Sequence, residues 1–267
     1  MRTLISCDRY RELLSKHIHR TITPAAVADL TRFDAARISA QEMKDLSKKV
    51  FVGFLQLFIG LAVLLFFTAW TFDYWQVWIF LAVYSLSVLA VTFNLMKKDP
   101  KLLERRINAN SGSERRRNQK ILNFLISKAL ILVVVVSVID HRCAWSAVPL
   151  YGVVAGDVLV VLGFLIGFFV FKENTFASAI IEIGAGQKVI SSGPYALVRH
   201  PMYVGWLVTF SGVPPALGSW WGLFTIIPIV LVIVWRLLDE EIFLAGNLPG
   251  YSEYQNRVQY RLVPFIW

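Results

Sequence analysis

The sequence predicts an all-α integral membrane protein of about six transmembrane helices, the last two folded into a hairpin. Three observations carry this. Of the 267 residues, 56% are hydrophobic, where soluble domains hold about 45–50%, and mean hydropathy is +0.57. The excess falls into uninterrupted apolar blocks, each about as long as a bilayer core is thick. Charge is concentrated between the blocks and gives them a consistent orientation.

The blocks follow in order. Val50–Phe72 and Tyr74–Met96 carry no charged residue, and little more than Asp73 separates them, which demands a tight hairpin. Ile121–Ile139 carries only Lys128, and Ala147–Phe171 only Asp157. Met202–Gly218 is short and holds Pro214-Pro215, so a kinked or partial span is expected. Trp220–Leu238 is charge-free until Arg236. The segment Lys97–Lys120 is rich in lysine and arginine, opposed only by Asp99, Glu104 and Glu114. It should lie in the cytoplasm, with both termini and the segment Lys172–His200 on the same side. Trp70, Tyr74, Trp75, Trp78, Trp145, Trp220 and Trp221 then fall near the outer interface.

Three regions result. Residues 1–42 are polar, with amphipathic runs at Tyr10–Ile18 and Ala26–Ile38. They read either as a small cytoplasmic appendage or as sequence upstream of a true start at Met43, where basic residues lead directly into a span. Residues 43–171 hold the first spans and the basic loop 97–120. Residues 172–267 hold the candidate chemistry.

Composition excludes several classes. A net charge of +9 sits mainly in one inter-helix loop, so orientation explains it better than nucleic acid, for which no motif is present. Cys7 and Cys143 have neither disulfide nor metal spacing, and no metal site is expected. Lys128 and Asp157 are intramembrane charges; a pair across neighbouring helices, or a neutral aspartic acid bonded to a neighbour, is the plain expectation, and a functional role the rarer one.

Chemically capable side chains gather in two places, Gly193–Tyr203 before the fifth span and Arg236–Glu241 at the end of the sixth. A helical hairpin returns both to one membrane face. Pro201 sets His200 outside the helix and opens the next helix, whose first N–H groups suit an anion. Tyr195 and Tyr203 offer flat faces for an adenine or a sulfonium. Arg236 and Glu240 share a helix face; the arginine can fork a carboxylate and the glutamate can accept from a ribose diol or ammonium. Arg199, His200 and Arg236 singly fit interfacial anchoring, but Glu240-Glu241 gains nothing from the positive-inside bias.

The run Val189–Tyr195, the box Arg199-His200-Pro201-Met202-Tyr203, Arg236 with Glu240-Glu241, and Tyr251, Tyr254 and Val263-Pro264-Phe265 resemble the isoprenylcysteine carboxyl methyltransferase and phospholipid methyltransferase superfamily. The resemblance covers roughly residues 174–267. The loop Lys97–Arg106 is like that of bacterial members, which implies a bacterial inner membrane. The resemblance implies S-adenosylmethionine as cofactor, held by Gln187, Lys188, Val189, Ile190, Tyr195, His200, Pro201, Met202, Tyr203 and Glu240. It implies a lipophilic or lipidated acceptor from the bilayer, its carboxylate held by Arg236. Gln187 stands where enzymes acting on prenylated proteins often have histidine. Arg236, Glu240, Glu241 and His200 are the catalytic candidates; a carboxylate acceptor needs no base, whereas an amine would need Glu241 or His200. The alternatives are an NADPH-dependent membrane reductase of the sterol-reductase type and a non-enzymatic protein on the same scaffold. Glu182–Gly186 mimics the acidic Gly-x-Gly loop of soluble methyltransferases, but has no room for the sheet that loop requires.

Overall fold

The computed structural model describes residues 24–108, 117–177 and 186–267, with side chains from residue 40 onward. The run Tyr10–Ile18 lies outside the described residues, as does most of the Glu182–Gly186 loop. The chain divides into two units, residues 1–49 and 50–267. In the first, the described residues from Pro24 onward are helical. The second carries everything below.

Eight α-helices are described: α1 Pro24–Ala69, α2 Trp75–Lys98, α3 Pro100–Asn108, α4 Arg117–Cys143, α5 Leu150–Glu173, α6 Pro201–Ala216, α7 Ile226–Asn247 and α8 Tyr251–Arg257. No strand occurs among the described residues. Five segments are long and apolar enough to cross a membrane: Ala40–Ala69, Trp75–Lys98, Asn118–Cys143, Leu150–Glu173 and Trp221–Asn247. The expected sixth span is α6. Its 16 residues reach about 24 Å at 1.5 Å per residue, short of a bilayer core of about 30 Å. Sequence chemistry ends it there. Pro214 and Pro215 occupy its last turn, and Gly218, at φ +74°, closes it. Ser219 N donates to Pro214 O at 2.9 Å and Gly218 N to Pro215 O at 2.9 Å, the paired bonds of a Schellman cap.

α6 packs along α5 through small residues. A side chain at Gly156, Gly163 or Gly212 would overlap the backbone of the facing helix, so the two axes approach as closely as in small-residue membrane contacts. α2 packs on α5, while α4 packs on α7 and on the 3₁₀ turn Trp221–Thr225. The buried core runs between them, from Val77, Phe80 and Val133 to Val160, Tyr203, Ile229, Ile233 and Leu237. Large apolar side chains point outward along the spans, as a lipid solvent permits: Phe67, Leu86, Leu231 and Trp235 are all exposed.

One expectation needs correction. Lys128 and Asp157 do not pair. Lys128 is exposed and lies 5.2 Å over the Phe124 ring, while Asp157 is buried and its Oδ1 has no hydrogen-bond partner among the described residues. Their helices are not packed neighbours, so no cross-helix bond is available. Of the aromatic residues between the spans, Tyr74 is buried, stacked on His141 with centroids 3.8 Å apart, and its hydroxyl donates to Leu217 O.

Candidate functional site

Local sequence builds the site at one end of the bundle. The basic residues of the last α2 turn complement its carbonyl end. Asp99 then starts α3, its Oδ1 accepting from Leu102 N at 2.9 Å, with Pro100 at the first helical position. After α5, Gly193 at φ +56° turns the chain beside Glu173, and the 3₁₀ turn Gly193–Ala196 presents Tyr195. Pro201 keeps His200 out of the helix, at φ −124°. The box is clasped by the C-terminal tail: Arg199 N donates to Tyr260 O at 2.9 Å and His200 N to Arg261 O at 3.0 Å.

These elements enclose a recess with an open mouth, lined by polar, charged and aromatic side chains. Gln187, Lys188, Val189, Ile190, Tyr195, His200, Pro201, Met202, Tyr203, Arg236 and Glu240 all line it. The two sequence clusters therefore meet. The Tyr203 hydroxyl donates to Glu240 Oε2 at 2.6 Å and accepts from Arg236 Nε at 2.9 Å. Arg236 also donates through Nη1 to Asn123 Oδ1 on α4. Arg236 is buried and Glu240 half-exposed, so the relay runs from the bundle interior toward the open recess.

Glu241 does not line the recess. It is buried among two arginines and a histidine. Its Oε1 lies 3.2 Å from His200 Nε2 and 2.7 Å from Arg199 Nε, the latter out of line for a hydrogen bond. Its Oε2 accepts from Arg261 Nε at 3.0 Å. Arg199 further donates to Gln255 O and Val258 O. Glu241 thus ties the box, α7 and the tail together from behind, while His200 presents to the recess.

Sequence reasoning missed several wall residues. Arg106, Asn174, Phe176, Ala177 and Trp206 line the recess. Asn174 Nδ2 donates to the Tyr195 hydroxyl at 2.9 Å, and the Tyr254 hydroxyl donates to Tyr195 O at 2.8 Å. Burial pushes the Tyr195 phenol up to about 12, against the opposing Asn174 bond, so at neutral pH it stays protonated. Burial also pushes the phenols of Tyr251 and Tyr254 up. Burial lowers the Arg106 guanidinium to about 10, with Tyr195 opposing, which leaves it fully charged at neutral pH. Arg106 sits in the loop whose basicity orientation already explained, so composition gave no separate signal for it.

No protein of the curated set matches the chain. The model of the phospholipid methyltransferase family does match, over residues 151–248. This stretch, from α5 through α7, contains the strip 187–190, the box and the Arg236–Glu241 cluster. Over it the chain is similar to a family of methyltransferases, one grouped in the isoprenylcysteine carboxyl methyltransferase-like superfamily.

Proposed function

We propose that the chain is an S-adenosylmethionine-dependent methyltransferase acting on a carboxylate of a lipophilic acceptor, of the isoprenylcysteine type, with its site facing the cytoplasm. The observation that carries the reading is the Arg236–Tyr203–Glu240 relay inside one recess. The donor set suits the methyl donor. Tyr195 and Tyr203 supply aromatic faces for an adenine or a sulfonium. Glu240 supplies an acceptor for hydroxyl or ammonium groups, and the strip Gln187–Ile190 supplies backbone polar groups. When bound, S-adenosylmethionine supplies a methyl carbon on a cationic sulfur.

The residues' own tasks follow from their positions. Arg236 holds the acceptor carboxylate by a charge-assisted bond, its guanidinium fixed by Asn123 and Tyr203. A carboxylate is ionised at neutral pH, so one of its oxygens attacks without a base. With the donor bound, that oxygen would take the methyl group as the S–CH₃ electron pair returned to sulfur, giving a methyl ester and a neutral thioether; Arg236 would hold the oxygen in line for it. Charge is lost on both partners in this step, so a site that excludes water and fixes their line of approach accelerates it. Trp206 and Leu244 line the recess as apolar wall.

The test uses detergent-purified protein with labelled S-adenosylmethionine, NADPH, and N-acyl S-prenylcysteine as acceptor. Methyl uptake into base-labile ester is expected, and it should disappear in Glu240→Gln. Binding of NADPH without S-adenosylmethionine would overturn the assignment.

A further inference from the structure

The recess holds a cation that this mechanism does not use. Arg106 comes from α3, yet its guanidinium lines the recess rather than reaching to solvent. Its place is fixed on two sides: the Phe171 ring lies 4.4 Å beneath it, and Nη1 donates to Ala177 O at 2.9 Å. The helix that carries it is seated by the buried Leu102 and Leu103, and Arg105 donates to Thr175 O beside it. Membrane orientation requires positive charge near the headgroups. It does not require a guanidinium turned inward and stacked on a ring. Lys101, on the same helix, is exposed, and it serves orientation with the other basic residues of Lys97–Lys120 without turning inward.

The charges in the recess are ordered. Glu240 is joined to Arg236 through the Tyr203 hydroxyl. Arg106, Tyr195, Arg236 and Glu240 all line the recess, so its wall carries one carboxylate and two arginines, of which only Arg236 is bonded through Tyr203 to Glu240. Their settings differ. Arg236 is buried in the bundle and bonded to Asn123 of α4, so it faces the recess from among the spans. Arg106 comes from the short helix α3 and meets the recess beside residues 174–177, outside the long spans. The methyl donor carries a carboxylate of its own, at its amino-acid end. The Ala177 bond engages one of the five N–H groups of the Arg106 fork, and that fork matches a carboxylate in a bidentate pair.

Resting on the reading above, we propose that Arg106 binds the carboxylate of the methyl donor, fixing the donor's amino-acid end at the loop side and leaving Arg236 to the acceptor. The basic loop is then part of the site as well as a topological signal.

The experiment measures equilibrium binding of S-adenosylhomocysteine and of its decarboxylated analogue to the purified full chain in detergent. The wild type should prefer the carboxylate-bearing ligand by about 10–100-fold, the range of a hydrogen-bonded charge pair. Arg106→Ala and Arg106→Gln should bind both ligands alike, at the wild-type affinity for the decarboxylated one, which also shows that the recess is folded. Arg236→Ala and Lys101→Ala should keep the preference. The proposal is overturned if both Arg106 variants keep it, if Arg236→Ala abolishes it, or if Arg106→Gln raises KM for the acceptor and not for the donor. A wild type that binds neither ligand sinks the donor reading itself, independently of Arg106.

Discussion

Two carboxylates are buried at opposite ends of this bundle, and they are satisfied in different ways. Asp140, near the end of α4, is held by neutral donors: Ser146 N at 2.9 Å, Ser146 Oγ at 2.6 Å, Ser219 Oγ at 2.5 Å and Trp221 N at 3.2 Å. It stitches the α4–α5 turn to the α6–α7 turn. Glu241 is held by two arginines, Arg199 and Arg261, and by the His200 ring. From Asn123 in the relay to Asp140 the distance along α4 is about 25 Å at helical rise. The Asp140 clasp has its hydrogen bonds closed within itself, and none of its members lines the recess that holds Tyr203 and Glu240. The Glu241 cluster passes its order forward, because His200 sits in both the cluster and the recess wall. A structural polar centre and a supporting one are distinguished by whether a member also faces the cavity.

The largest expected effect breaks the second centre. Glu241→Ala leaves the buried Arg199 and the His200 edge without their counter-charge, and removing one partner of such a pair costs about 3–5 kcal/mol. Thermal unfolding in detergent should show a large loss of stability. Donor affinity in the fraction that stays folded should fall too, because the box is no longer clasped to the tail. Unchanged donor affinity would reduce Glu241 to a purely structural group. Asp140→Ala comes next. It removes an acceptor of four bonds, and with charged-group bonds at about 1.5–3 kcal/mol each and far from additive, about 2–4 kcal/mol is expected. Here donor affinity should not change. A donor KM that shifts with Asp140→Ala would erase the contrast between the two ends.

Much of this was legible beforehand, for identifiable reasons. Spans announce themselves because the bilayer leaves no other place for 20 apolar residues. The meeting of Tyr203 and Glu240 followed from a hairpin that returns both ends to one face. α6 was recognisable as short from its proline pair. What the sequence concealed were contacts between elements far apart in the chain. Nothing in the Lys97–Lys120 composition separates Arg106, which turns inward, from Lys101, which does not. Arg261 has no local pattern that marks it as a partner of Glu241, twenty residues earlier. Lys128 and Asp157 suggested a pair only on the assumption that their helices were packed neighbours, and they are not.

The relay gives the next effect in size. Arg236→Lys keeps the charge but loses the planar fork that meets Tyr203 and Asn123 together. An acceptor-side kcat/KM about 100-fold lower is expected, equivalent to about 2.7 kcal/mol, with stability near that of the wild type and donor binding retained. An equal loss in donor binding would place Arg236 on the donor and dissolve the two-ended division of the recess.

Tyr203→Phe is the smallest change and the sharpest. It deletes one oxygen, the atom that both receives the Arg236 bond and donates to Glu240. The ring, packed edge-on against Trp206 at 5.4 Å, is kept, so the aromatic wall of the recess survives. If the ring face alone serves the donor, donor affinity should stay within about 2-fold. If the hydroxyl aligns Arg236 and Glu240, kcat should fall about 10-fold, or about 1.4 kcal/mol, because both groups lose their common registration. The split between an unmoved donor KM and a lowered kcat separates alignment from binding. A variant with wild-type kcat would mean that the two charged residues hold their positions without the oxygen between them, and the relay would then be a packing coincidence rather than part of the chemistry.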